Sequence, residues 1–210
     1  MLVRSLLLLL IAAPQPSTDP SGHYRLTGSP ETAAELILDD DGGFEYALSE
    51  GALDEGSSGR WTRDEGLVRL TTEPKPVPPA FGAGPVEPIP DAPFALALTW
   101  PNGRGIAGAD FRIRFADGSS AEGYTQEEGW SADPAESRIP ISVQFAVPMH
   151  GLVSPDFTLD GGRGKRFGFV LTPNDLGRID FDGEPLELTG DRLVMRRFGR
   201  ELRFQRLAKD

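Results

Sequence analysis

Apolar and polar residues alternate along most of this chain with a period of two, the signature of strands that bury one face. Phe44, Tyr46 and Leu48 fall on one side of such a strand, with Glu45 and Ala47 on the other. Tyr24-Arg25-Leu26 and Glu35-Leu36-Ile37-Leu38 precede it as shorter strands, and Asp39-Asp40-Asp41-Gly42-Gly43 supplies the short polar side chains and glycines of a hairpin connection. A second hairpin is predicted from residues 59–62 through a turn at Asp64-Glu65-Gly66 to residues 67–71. Further on, Phe94, Leu96, Leu98 and Trp100 share a face, as do Phe111, Ile113 and Phe115, with Arg112 and Arg114 opposite. The pattern continues through Ile139, Ile141, Val143, Phe145 and Val147, then Phe167, Phe169 and Leu171, and closes with a strand-turn-strand meander over residues 180–207. Residues 31–36 are the single weak helical candidate. The predicted class is all-β, an antiparallel meander or barrel together with a β-sandwich.

Composition sharpens this picture. The chain has 210 residues with 25 glycines and 19 prolines, and beyond its start no segment sustains an apolar stripe at helical spacing. Seven prolines (74, 76, 78, 79, 85, 88 and 90) crowd residues 73–91, where they remove backbone donors and rule out a helix or a central strand. Residues 76–91 are therefore predicted to be a semi-rigid connector. Cysteine is absent, so no disulfide, thiolate ligand, thiol nucleophile or lipid-bearing cysteine is available.

The first residues have the form of an export signal: Arg4, an apolar run from Leu6 to Ala13, then Pro14 and Pro16. A membrane-spanning helix needs about 20 apolar residues, and this run stops well short. Residues 1–20 are thus expected to be a signal peptide and linker, with cleavage between Ala12 and about Ser17, and the protein periplasmic or secreted in a bacterium. Asn102 and Asn174 lie outside glycosylation sequons, in keeping with that address. The formal net charge is −11, unevenly spread: residues 14–162 hold 9 basic and 24 acidic residues, whereas residues 163–210 hold 11 and 8. Attraction between the two parts is expected. An acidic surface also disfavours nucleic acid and anionic membrane surfaces as partners, and the tail arginines alternate with apolar residues as on a half-buried strand.

The opening motifs Gly22-x-Tyr24, Leu36-x-Leu38, Asp41-Gly42, Phe44-x-Tyr46 and Gly59-Arg60-Trp61 resemble the start of bacterial lipocalin-like envelope proteins, over about a quarter of the chain. That resemblance implies a small up-and-down β-barrel. The lipidated or paired cysteines of some members are missing here, so anchoring and thiol-based metal sensing do not carry over. The middle motifs, Thr99-Trp100-Pro101-Asn102-Gly103, Gly108-Ala109-Asp110, Asp117-Gly118, Gly123-Tyr124-Thr125 and Gly129-Trp130, are similar to transthyretin-like and carboxypeptidase-regulatory-like β-sandwich modules. Those modules are usually non-catalytic. Together the resemblances imply a discontinuous barrel of residues 21–75 with 174–210, interrupted by a sandwich of residues 92–173.

Candidate chemistry is sparse. His23 and His150 are the only imidazoles, too few for a histidine metal site, and they are read as loop residues rather than catalytic bases. Asp39-Asp40-Asp41 lacks the spaced ligands of a calcium loop and is better read as a turn. Asp180, Asp182 and Glu184 have the spacing of solvent-facing charges on a strand. Gly161-Gly162-Arg163-Gly164-Lys165 fails the phosphate-loop pattern, because Arg166 stands where a hydroxyl is needed. No carboxylate pair can be singled out for glycoside hydrolysis. Aromatic residues remain: Trp61 and Tyr46 as walls of a ligand cavity in the barrel, and Trp130 at the tip of a loop after Glu127-Glu128-Gly129.

The expectation is an exported protein without catalytic residues, metal or cofactor that binds a small apolar ligand or an envelope component. A carbohydrate-binding or adhesion module built on the middle sandwich is the alternative from another class, and a hydrolase of unrecognised type is a third.

Overall fold

The computed structural model describes residues 19–64, 66–90 and 92–208. The export-signal expectation falls on residues outside these, as do Glu65 of the second hairpin turn and Asp91 of the proline-rich stretch. Among the described residues every element is a strand apart from one 3₁₀ turn at Pro148–His150. The described residues form two compact units, one of those up to Lys75 together with those from Ile179 onward, the other of those within Pro76–Arg178.

The first unit opens with β1 (Gly22–Thr27), β2 (Thr32–Leu38), β3 (Gly43–Glu50), β4 (Leu53–Asp64) and β5 (Leu67–Thr72). The second contains β6 (Ala80–Pro88), β7 (Phe94–Thr99), β8 (Asp110–Phe115), β9 (Ser120–Tyr124), β10 (Trp130–Ser131), β11 (Pro140–Val147), β12 (Leu152–Val153), β13 (Phe157–Thr158) and β14 (Lys165–Thr172). The chain then returns to the first unit as β15 (Asp182–Thr189), β16 (Arg192–Arg197) and β17 (Arg200–Arg206).

The first unit is a closed eight-stranded antiparallel barrel in the order β1-β17-β16-β15-β5-β4-β3-β2. It is an up-and-down meander whose one long connection, between β5 and β15, carries the whole second unit. Closure rests on β1, in which Tyr24 pairs with Leu36 on one side and Arg206 on the other. Because side chains alternate, one parity of each strand fills the interior. Leu36, Leu38, Phe44, Leu48, Leu70, Leu193, Leu202 and Phe204 are almost fully buried there. Residues 32–36, weakly helical by pattern, are strand because Thr32, Ala34 and Leu36 all point into that core.

On the inner side of β4 small residues make room for the returning chain. At Gly59 a Cβ would lie 2.1 Å from the Thr71 carbonyl oxygen, so only glycine fits. Residues 179–181 cross this mouth of the barrel. Ile179 N–H donates to the Gly56 carbonyl at 2.9 Å, the Ser57 and Thr72 hydroxyls both donate to the Ile179 carbonyl at 2.9 Å, and Phe181 N–H donates to Thr72 Oγ1 at 2.8 Å. Phe181 is thereby driven into the core, its ring 5.3 Å from Tyr46 and 6.0 Å from Phe44. Beside it Arg197 grips Glu55 through two hydrogen bonds of 2.6 and 3.3 Å, with the two side chains only 20% and 10% exposed. Phe198 covers this pair, its ring 4.4 Å from the Arg197 guanidinium. It holds a left-handed φ of 56° in a two-residue turn with Gly199, where Asn or Gly is usual. The basic tail thus pairs with the acidic opening strands, Arg197 with Glu55 and Arg200 with Glu50.

The second unit is a sandwich. One sheet has the order β10-β7-β14-β6, including a parallel pair between β7 and β14; the other runs β12-β11-β8-β9, with β13 also on β11. Inward side chains from both form a single core, in which Phe145 meets Phe169 at 4.9 Å and Phe94 meets Phe115 at 6.3 Å.

Two expectations are corrected here. Residues 76–91 are not simply a connector, since β6 runs through them and pairs with β14. The prolines are tolerated because β6 is an edge strand, and its register shifts opposite Phe167 and Phe169, where Pro85 presses on Gly168. The barrel segment after the sandwich likewise begins at Ile179 rather than at residue 174, because residues 174–178 stay with the second unit, where Asn174 donates to the Pro78 carbonyl at 2.8 Å.

Truncating the plug should be costly. Phe181→Ala is expected to destabilise the barrel by about 3–5 kcal/mol in a denaturant titration of the full chain. A second expectation concerns acid. In the sandwich, hydrogen bonds from the Arg138 side chain and backbone hold the Glu136 carboxyl down at about 2, against an ordinary value of 4.5. A depressed carboxyl stabilises the folded state above about pH 4.5, and that contribution disappears as the pH falls toward 2. Glu136→Gln should therefore flatten the loss of stability between these two pH values, as read from denaturation midpoints.

Candidate functional site

The predicted aromatic site residues have different fates. Tyr46 lies on β3 inside the barrel and is 3% exposed. Its hydroxyl is buried close to Arg197 but completes no hydrogen bond, and burial pushes the phenol pKa up. Trp61, on β4, packs partly against the same core, and its indole N–H donates to the Asp39 carbonyl at 2.8 Å, across the acidic turn. At this end of the barrel Tyr24 donates to the Pro20 carbonyl at 2.6 Å while Arg206 donates to the Tyr24 hydroxyl and to the Asp19 carbonyl. Tyr46 and Trp61 thus pack against neighbouring side chains where a ligand cavity was expected to run.

Trp130 is not at a loop tip. It forms β10, pairs with Leu96, and packs 5.0 Å from Phe111 and 5.6 Å from Phe94, anchoring the edge of the sandwich core. The acidic run 39–41 is a turn in which Asp41 accepts from Gly43 N–H at 2.8 Å, and Asp180 pairs with Lys75 at 3.2 Å. His23 shares Glu35 with Arg25, and His150 ends the 3₁₀ turn. Among the described residues no group of three or more His, Asp or Glu side chains is placed to hold a metal ion.

An extended groove lies on the outer face of the β12-β11-β8-β9 sheet. It is open, with a volume of about 610 Å³, inside the range of roughly 300–1,000 Å³ typical of small-ligand sites. Strand register builds the groove. Tyr124 pairs with Asp110, Asp110 with Ala146, and Ala146 with Val153, so one row of outward residues crosses all four strands, about 14 Å at ordinary strand spacing. Tyr124 and Val153 stand at the two ends, 59% and 63% exposed, with the smaller Asp110 and Ala146 between them. The next row places Glu122, Arg112 and Gln144 side by side.

Polar contacts fix this floor. Arg112 spends its Nε and Nη2 donors on one oxygen of Glu122, at 2.8 and 2.7 Å. Arg114, in the row below, bonds Ser142 and pairs with Asp156. Gln144 donates its side-chain amide to the Ser154 carbonyl at 3.1 Å. Asp110 takes part in none of the ion pairs among the described residues. The floor therefore offers carboxylate and amide acceptors and one offset guanidinium beside an exposed aromatic face.

None of these groove residues was a predicted site residue. The alternation had set Arg112 and Arg114 on the outer face of β8, and Tyr124 sat within a quoted motif. Neither signal told which strands would flank β8, and that pairing is what brings Tyr124 and Gln144 to its two sides. Comparison of the chain with family models, with curated proteins and with solved structures found no match. No activity is therefore carried to it from a relative.

The unsatisfied Tyr46 hydroxyl yields a specific expectation. Tyr46→Phe removes a buried polar group that makes no hydrogen bond, so stability should stay unchanged or rise by up to about 1 kcal/mol, measured by urea denaturation.

Proposed function

We propose that this is an exported, non-catalytic recognition protein whose sandwich binds carbohydrate on the outer face of the β12-β11-β8-β9 sheet. The observation that carries the reading is an exposed Tyr124 lining one groove with a strip of planar polar side chains, Asp110, Gln144 and the Arg112–Glu122 pair. Sugars present an apolar C–H face and a rim of hydroxyls. An aromatic ring takes the first and carboxylate or amide acceptors take the second. A groove open along its length suits a chain of sugars better than a small apolar molecule, which would need enclosure.

The interior of the barrel supports this choice by being unsuited to the competing one. Phe44, Tyr46 and Phe181 meet across it, and the Ile179–Phe181 segment closes one mouth, so an apolar ligand would have to displace packed side chains. The barrel is assigned a structural role. Catalysis has little support, because the depressed carboxyls of Glu35, Glu50, Glu136 and Glu187 each hydrogen-bond an arginine.

Calorimetric titration of the full chain with a panel of soluble oligosaccharides tests the reading. At least one should bind, and Tyr124→Ala should weaken it about tenfold, roughly 1.4 kcal/mol, with an unchanged circular dichroism spectrum. Binding that survives Tyr124→Ala undiminished, or no binding across the panel, would overturn it.

A further inference from the structure

We propose that the groove selects uncharged saccharides and that Glu122 is the residue that sets this selectivity; the inference rests on the carbohydrate reading above. Arg112 lies in the middle of the floor, where a guanidinium would ordinarily recruit a carboxylate-bearing sugar through a bidentate fork. Glu122 occupies that fork first. Both Nε and Nη2 of Arg112 are committed to Glu122 Oε1 at 2.8 and 2.7 Å, while Arg114 places Nε on Ser142 and Nη2 on Asp156. Asp110, beside Tyr124, adds a negative charge with no cation against it. Summed over these five groups the floor carries a net charge of about −1 and each guanidinium already has a carboxylate against it, so a uronic acid entering it meets like charge.

The arrangement has little reason to exist for stability alone. Arg112 and Glu122 are 62% and 65% exposed, and ion pairs in water between such side chains contribute little to folding. Their effect on a ligand is larger, because specificity is a difference between two affinities and a mismatched charge lowers only one of them. Glu122 also sits on β9, the edge strand, so replacing it leaves the sheet interior untouched.

The test uses the full chain and two sets of probes: neutral hexasaccharides (cello-, xylo-, malto- and chito-oligomers) and oligouronates of the same length (galacturonate and mannuronate), titrated at low and at physiological salt. The wild-type protein should bind at least one neutral probe and bind each oligouronate at least tenfold more weakly. Glu122→Gln, which frees the Arg112 fork, should strengthen oligouronate binding at least tenfold relative to neutral binding by the same variant, more at low salt than at high. Glu122→Thr, whose side chain suits an edge strand, should do the same, and the double variant Arg112→Gln with Glu122→Gln should lose the gain. Oligouronates bound as tightly as neutral probes by the wild type, or unmoved by both Glu122 variants, overturn the selectivity while leaving carbohydrate binding in place. Absence of binding by every probe overturns both.

Discussion

The barrel depends on one return. Its first five strands make a curved sheet with two open edges, β1 and β5, and a sheet in that state exposes unpaired backbone groups and half its apolar face. Only β15, β16 and β17 can satisfy both edges, and they come back after more than a hundred residues spent in another unit. The register of that return is set at its first residues. Ser57 and Thr72 catch the Ile179 carbonyl, Phe181 packs against Phe44 and Tyr46, and Asp182 then falls opposite Thr71. A slip of one residue would turn Leu186, Leu193 and Leu202 outward together. The hydroxyl clamp on residues 179–181 therefore does for this barrel what a short hairpin turn does for an ordinary one.

The same requirement explains the polar groups near the plug. Glu55 faces inward by parity, and an inward carboxylate needs a partner when it loses water. Arg197 supplies it from the end of β16, and the Phe198 ring lies against its guanidinium. Tyr46, facing the same cluster, sets its hydroxyl beside Arg197 without completing a hydrogen bond, and Arg206 Nε is likewise buried without one. Acidic opening strands and basic closing strands consequently meet as neighbours, which places the uneven charge of the sequence inside a single unit rather than between two.

How much of this was legible depends on whether the feature is local. Alternation in residues 44–48, 111–115 and 167–171 identified strands and their buried faces, because parity is written residue by residue. The glycine-aspartate turn at residues 39–43 was legible for the same reason. The proline-rich stretch was misread in part, since seven prolines exclude a central strand but leave an edge strand with a bulge open, and that choice depends on β14 lying beside it. Trp130 was misplaced because Glu127-Glu128-Gly129 does mark a turn, but the turn leads straight into a two-residue strand fastened to Leu96, a contact across more than thirty residues. The groove was hidden for a stronger reason. Tyr124, Asp110, Ala146 and Val153 become a row only through three separate strand pairings.

That distinction bears on where recognition can reside in such a protein. Interior positions are spoken for by packing: the alternation that made the strands readable also fills both cores with Phe, Leu and Val, leaving little freedom for ligand chemistry. The outer faces are free of that demand. On the β12-β11-β8-β9 sheet the outward parity carries an aromatic, carboxylates, arginines and an amide, arranged by register into a strip that no packing argument requires. Folding constrains Arg112 and Glu122 weakly, since exposed charges contribute little to it, whereas a ligand lying along the strip would meet both. Chemical variety concentrated where stability is indifferent is what a binding face looks like, and here it coincides with a groove of about 610 Å³.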